Sequence, residues 1–376
     1  MSSASTAEPH PAADAPGVPE PGLPELGVPE LGVPELGVPQ PGRARVPGRH
    51  LLRKAASFQS PVLAASLWQF LSTGGAYAAL LVVMYFAYSV SVWLSLALVL
   101  PAAGLVVRLF IIQHDCGHGA FFQSRRANLV VGVLCSLATL TPFTNWRRHH
   151  AQHHSMWNNL DQRDMTTDIY STCLTVEEYA AMTPTKKWFA RTVRHPLIAH
   201  FIIPPIVFLI LYRVPFETPL AWTRERRAVW LTNAGIAAGL VLLVLAFGIW
   251  PVLLVQVPVI AVAAIIGVWL FSIQHRFEDA HWSRGNDWSA VTAAISGSSF
   301  LKLPAVLRWF SGNIGYHHVH HLVPRVPNYR LRACHEACEE LFGTAQVLTL
   351  RDALMAPSYA LFDESTGRMV RFPSTR

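Results

Sequence analysis

Ten of the 17 histidines fall in three short clusters: His114 and His118; His149, His150, His153 and His154; and His317, His318, His320 and His321. The first, HDCGH, sets two imidazoles at i and i+4, on one face of a helix. The second, WRRHHAQHH, contains H-x-x-H-H as His150, His153 and His154, and the third, GYHHVHH, repeats that spacing as His317, His320 and His321. Imidazoles crowded in this way repel one another when protonated and are costly to bury without partners, so two copies of one triplet are hard to explain as packing. A shared metal removes both difficulties, because imidazole is the commonest protein ligand for first-row transition metals. One ion cannot take eight imidazoles, whereas two ions can take four or five each. A dinuclear site is the economical reading, and the ligand type suits zinc, iron and copper alike.

Such a site needs helices to carry it, and the composition says which kind. Of 376 residues, 52% are hydrophobic and 14% charged, with a net charge of +7 and a mean hydropathy of +0.31. A soluble domain carries about 25% charged residues, so a purely cytosolic protein is excluded and an all-α integral membrane protein is expected. No Asp, Glu, Lys or Arg occurs between Lys54 and Arg108, nor from Ala228 to His275. A bilayer crossing takes about 20 residues, so each window holds a helical hairpin. The spans fall at about 64–88, 92–112, 229–250 and 252–273, with turns near Ser89–Ser91 and at Trp250–Pro251. Two shorter charge-free stretches, Ala127–Trp146 and His195–Tyr212, are marginal as spans and suit interfacial or re-entrant helices.

Basic residues cluster before the first span (Arg43 to Lys54), between the hairpins (Arg125 to Arg227) and after the second (Arg276, Arg284), and neither turn has any. The positive-inside rule then puts both termini, the middle region and all three histidine clusters on the cytoplasmic face, and the basic balance requires no nucleic acid. Six true spans would separate one cluster from another. Residues 1–54, which repeat Gly-Val-Pro-Glu-Leu from Gly27 to Gln40, read as a disordered Pro/Gly-rich tail. The segment has no apolar stretch of signal-peptide type, and its acidic residues argue against a transit peptide. A membrane domain over 55–345 and a cytoplasmic tail over 346–376 complete the division. The five cysteines imply no disulfide framework, and Cys334 and Cys338 read as packing residues. Ser296–Phe310 is apolar with interspersed bases and suits the membrane surface.

Taken together, HDCGHGAFF (114–122), WRRHHAQHH (146–154), DIYSTCLTVEEY (168–179), QHRFEDAHW (274–282) and GNIGYHHVHHLVPRVPNY (312–329) resemble the membrane fatty acid desaturases with three histidine boxes. The likeness covers roughly residues 58–340 and is nearest the bacterial acyl-lipid Δ12 (omega-6) branch. It implies a non-haem diiron centre held by His114, His118, His150, His153, His154, His317, His320 and His321. A ninth ligand is expected after the last span, with His275 preferred and His281 in reserve, while His149 and His318 stay outside. It also implies O2 as co-substrate, a lipid-linked acyl chain as substrate, and a ferredoxin-like or cytochrome b5-like electron donor. The Ala-, Arg- and Val-rich composition points to a bacterial plasma membrane. Asp115, Asp164, Glu278 and Asp279 are candidates to orient imidazoles through their second ring nitrogen.

Removing hydrogen from an unactivated methylene is beyond any side-chain base and needs an oxidant. The same oxidant serves a fatty acid hydroxylase or acetylenase, or a carotenoid hydroxylase or ketolase, which are the nearest alternatives. A metal transporter or sensor fits less well: the clusters gather at one face, and the spans carry no ionisable pathway at mid-bilayer.

Overall fold

The charge-free windows become helices because nothing in them needs water and every backbone group is satisfied within a helix. In a computed structural model, which describes residues 48–163, 169–215 and 217–374, the chain opens with α1 (Arg49–Ala56). The first hairpin follows as α2 (Leu63–Val90), the short α3 (Val92–Ala97) and α4 (Val99–Gly117). Ser91 makes the turn, its hydroxyl accepting the Trp93 N–H. Then come α5 (Arg125–Thr139) and α6 (Phe143–Met156), bent by 100° at a break where Leu140 takes a left-handed conformation and Pro142 precedes the next helix. Only glycine fits at position 132, since a Cβ there would stand 2.5 Å from the Phe143 ring. That close approach lets α6, with its histidines, fold across the end of the bundle.

The middle region contributes strand β1 (Leu174–Thr175), α7 (Val176–Ala181), α8 (Pro184–Val193) and, after a π-turn at Ile198–Ile202, α9 (Ile203–Leu209). The second hairpin is α10 (Thr223–Phe247) and α11 (Ile249–Ile273). Its turn is at Gly248, with φ +83°, rather than at Trp250–Pro251. Glycine tolerates that conformation, and Pro251 sits in the first turn of α11, where its missing N–H is not needed. Among the described residues four helices, α2, α4, α10 and α11, are long and apolar enough to cross a membrane. Within its most apolar stretch α4 is 72% buried and α10 only 11%. α4 is therefore the central post, and α10 presents most of its surface outward.

A cap follows, built from α12 (Ala290–Ser296), β2 (Phe300–Leu301), α13 (Ala305–Phe310), α14 (His317–Leu322), α15 (Asn328–Ala337) and α16 (Glu339–Phe342). The chain ends with β3 (Val347–Leu348), α17 (Leu350–Met355), β4 (Leu361–Asp363) and β5 (Arg368–Val370). The expected tail over 346–376 is thus folded structure through its described residues. β3 runs parallel to β2, and β4 pairs with β1 on one side and β5 on the other. Arg276, fully buried just past α11, donates to the carbonyls of Ile169 (3.2 Å) and Tyr359, which fastens this layer to the end of the second hairpin. At the other terminus the expected tail reaches residue 54, but its last turns form α1, packed through Ala55, which is buried. Residues 1–47 lie outside the described residues. Cys334 and Cys338 are buried in the cap core. Tyr85 is buried as well and stacks on Phe247.

Candidate metal centre

Four structural pieces deliver the histidines to one place. α4 ends in His114 and His118, α6 carries His150, His153 and His154, the turn after α11 holds His275, and α14 supplies His317, His320 and His321. Their ring nitrogens form two groups. In the first, His114, His118, His150, His154 and His320 each offer a nitrogen within 4.8 Å of all the others, and in the second His153, His275 and His321 do the same. His317 joins the second through Nε2, 2.9 Å from His275 Nε2 and 3.0 Å from His321 Nε2. The groups adjoin, with the His154 and His321 rings stacked at 4.3 Å.

The donor set fits a metal. Nε2 atoms of His118 and His150, and of His154 and His320, also stand 3.0 Å apart. Neighbouring ligands at right angles around an ion with metal–nitrogen bonds of about 2.1 Å stand about 3.0 Å apart, whereas a tetrahedral edge is about 3.4 Å. Such spacing lets neighbouring nitrogens share one ion, and an all-imidazole donor set suits iron as well as zinc or copper. Burial, reinforced by neighbouring imidazoles, lowers the basicity of His118, His275, His317, His320 and His321. These rings are neutral at pH 7, the form that ligates metal.

Asp115 lies against His114, its Oδ1 3.3 Å from Nδ1. The other oxygen accepts the Asn328 backbone N–H at 2.7 Å and side-chain N–H at 2.8 Å, and Asn328 exchanges amide hydrogen bonds with Gln69. All three side chains are buried. Glu278 and Asp279 do not fill the orienting role expected of them. Both are exposed and face Arg368, and Glu278 also accepts the Tyr359 hydroxyl. They follow the turn after α11, where the chain leaves the imidazoles for solvent. Asp164 lies outside the described residues.

His149 leans on Trp222 with ring centres 5.2 Å apart and belongs to neither nitrogen group. His318 is committed elsewhere: Nε2 is 2.9 Å from His335 Nδ1, and burial and that neighbour lower its pKa to about 3. Among the described residues His281 is tied in through its backbone, to Ser296 and Asn158, and belongs to neither nitrogen group. Two contributors escaped the sequence reading. Trp146 stacks on His150 at 4.6 Å and Trp157 on His321 at 3.8 Å. The spacing of one aromatic four residues before a box histidine and another three after the box was the available signal.

A cavity of about 420 Å³ reaches this centre from between the helices. Its α4 wall (Val106, Val107, Phe110) ends at His114. Its α11 wall (Ile260, Ala263, Ala264, Gly267, Phe271) points toward His275, and Pro204 and Phe208 of α9 close the side. Spacings of three and four residues put each wall on one helical face. Below Ile260 the helices close into solid core at Val252, Val255, Val259, Met84 and Ala102. Polar Asn145, Gln152 and Thr218 line the other end.

Candidate membrane spans, a histidine cluster able to hold metal and a largely apolar cavity beside it point to the class of histidine-rich membrane oxidoreductases. The family model for fatty acid desaturases matches residues 91–351, and the chain belongs to that family. It is 42% identical over 324 residues, 86% of this chain and 90% of the relative, to a fatty acid desaturase of Bacillus subtilis (strain 168). It is 29% identical over 268 residues to a chloroplastic omega-3 fatty acid desaturase of Glycine max (67% of this chain, 56% of the relative). With an sn-1 acyl-lipid omega-3 desaturase (ferredoxin) of Synechocystis it shares 29% over 249 residues, 62% of this chain and 64% of the relative. The two distant relatives thus carry omega-3 names, not the omega-6 position expected from the motifs.

Proposed function

We propose that the protein introduces a cis double bond into a lipid-linked, monounsaturated acyl chain at the Δ12 (omega-6) position, using O2 and two electrons. The observation that carries this reading is the convergence of nine imidazoles, in two adjoining groups, beside an apolar cavity between candidate spans. Two iron ions, one in each group, would supply the O2 activation that breaking unactivated C–H bonds requires.

The chain's own residues do the rest. α4 and α11 grip the acyl chain and keep water from the reacting carbons, with the methyl end toward Ile260 and the ester end toward Asn145 and Thr218. Asp115, fixed by Asn328, holds the Nδ1–H of His114 and so aims Nε2 inward. Trp146 and Trp157 lock two rings by stacking. Electrons arrive from a ferredoxin-like or cytochrome b5-like carrier, and the ferredoxin in the name of the Synechocystis relative supports the first. Arginines near the histidine-bearing ends and none in the turns at Ser91 and Gly248 support a cytoplasmic site and termini in a bacterial plasma membrane.

The test is gas chromatography–mass spectrometry, with double-bond location, of lipids from a host that makes only saturated and monounsaturated chains. The host expresses the protein or its His150→Ala variant beside a ferredoxin system. A diene with the new bond at carbon 12, absent in the variant, is expected. A bond at another carbon overturns the regiochemistry, and a hydroxylated, triple-bonded or carotenoid product moves the assignment to a hydroxylase, acetylenase or ketolase.

A further inference from the structure

Away from the metal centre, α8 has a composition that neither the fold nor the proposed reaction uses. Its sequence is PTKKWFARTV, and Trp188 and Phe189 are 66% and 60% exposed. At 100° per residue these two rings share the outward face. Lys187 and Arg191 flank it on one side, Lys186 on the other. Lys187 donates to the Ala180 carbonyl at 2.8 Å, and Arg191 to the Tyr179 hydroxyl at 2.5 Å and the Pro373 carbonyl at 2.6 Å. These acceptors are uncharged. Among the described residues Lys186, Lys187 and Arg191 enter no ion pair, so the flanks keep their positive charge.

Beside the helix is a second cavity, of about 490 Å³, whose lining includes Leu174, Met182, Lys186, Trp188, Phe189 and Arg194. It combines an apolar floor with cations. Beyond α8 the chain bends by 53° into Ile198–Arg213, where Phe201, Ile202, Ile206 and Ile210 are exposed. The aromatic face of α8 is therefore followed in the chain by a second exposed apolar surface, of the kind lipid covers. A basic, aromatic helix at such a junction lies in the headgroup layer, its rings in the acyl boundary and its long cationic side chains extended to phosphates.

We propose that α8 and the cavity beside it bind the phosphate headgroup of an anionic glycerophospholipid, seating the middle region of the chain on the bilayer. An acidic carrier protein would also meet these cations. The exposed Trp188 and Phe189, followed in the chain by the apolar surface of Ile198–Arg213, favour the bilayer.

Full-length protein, purified and delipidated in detergent, is titrated with dihexanoyl phosphatidylglycerol, with dihexanoyl phosphatidylcholine and with inorganic phosphate. Binding is read by tryptophan fluorescence and native mass spectrometry. Phosphatidylglycerol binds at least 10-fold tighter than phosphatidylcholine. Each basic residue near an anionic headgroup is worth about fivefold, so the double variant Lys186→Gln, Lys187→Gln loses about 25-fold for phosphatidylglycerol. Trp188→Phe keeps the affinity and loses the fluorescence response. Both variants retain the parent's iron content, which checks their folding. Equal affinity for the two lipids, undiminished binding by the double variant, or inorganic phosphate binding as tightly as phosphatidylglycerol overturns the proposal. Weakened binding of a reduced ferredoxin by the double variant, with lipid binding unchanged, reassigns the helix to the carrier. No readout depends on turnover, so failure here and failure of the desaturase reading are separable.

Discussion

The two imidazole groups are neighbours with different support. The first has a buttress: Asp115 touches His114 and is itself pinned by Asn328, which is pinned by Gln69, so α2, α4 and α15 all hold one ring. In the second, His153 Nδ1 lies 3.1 Å from the Ser171 hydroxyl and Trp157 stacks on His321, but Nδ1 of His275, His317 and His321 finds no hydrogen-bond partner among the described residues. A buried polar group left without a partner costs about 1–3 kcal/mol. The second group therefore carries an unfavourable load that metal bonding at Nε2 has to outweigh, while in the first the protein itself fixes His114. A centre can be half pre-formed and half completed by its metal.

Removing one ligand from each side tests whether these are two sites. His154→Ala and His275→Ala both reduce desaturation below detection, and each lowers bound iron, measured by plasma mass spectrometry, from about two ions per chain to about one. Loss of all iron from both variants would mean a single shared site and erase the comparison. Chelation should then separate the groups. With the metal stripped, amide exchange by mass spectrometry speeds up by about 10- to 100-fold across 314–323, in keeping with one or two unpartnered buried groups, and much less across 113–119. Equal acceleration in both segments would show that the first group is no better pre-formed. A smaller effect follows from Asp115→Asn, which keeps the shape but replaces the charged acceptor. Iron affinity falls about 10-fold, and chelator competition should find the loss confined to one of the two ions.

Much of this centre is legible in the sequence, because spacing is a local property. H-x-x-H-H declares one helical face wherever it occurs, and eight of the nine gathered histidines lie in patterns of that kind. His275 shows itself only by its place after an apolar window. What sequence does not display is long-range: Asn328 reaches Asp115 across 213 residues, and nothing local marks Gln69, an isolated amide in an apolar helix, as part of that chain. Glu278 and Asp279 mislead for the same reason, since closeness in sequence to His275 says nothing about which way the chain turns next. The C-terminal layer stays hidden because its strands are two or three residues long, too short for an alternating pattern, and their partners Phe300–Leu301 and Leu174–Thr175 are far away in the chain.

The last contrast concerns the walls. The α4 wall leads to His114 of the first group and the α11 wall to His275 of the second, and they differ in bulk. α4 offers Val106, Val107 and Phe110, whereas α11 offers Ala263, Ala264 and Gly267 between its larger ends. A Cβ at Gly267 would meet nothing within 4 Å, so side chains added there enter open space. Eight residues separate Gly267 from His275, about 12 Å along a helix, well short of the floor at Ile260. Gly267→Leu should therefore leave the melting temperature and iron content near the parent's while raising the floor. An 18-carbon chain then no longer seats fully, and the product ratio in competition with a 16-carbon chain shifts several-fold toward the shorter one. Val106→Phe on the opposite wall, eight residues from His114, should do the same if the chain runs between the helices. A shift from Gly267→Leu alone would place the acyl chain against α11 and its carbons nearer the second group, and no shift from either would remove this cavity as the acyl site.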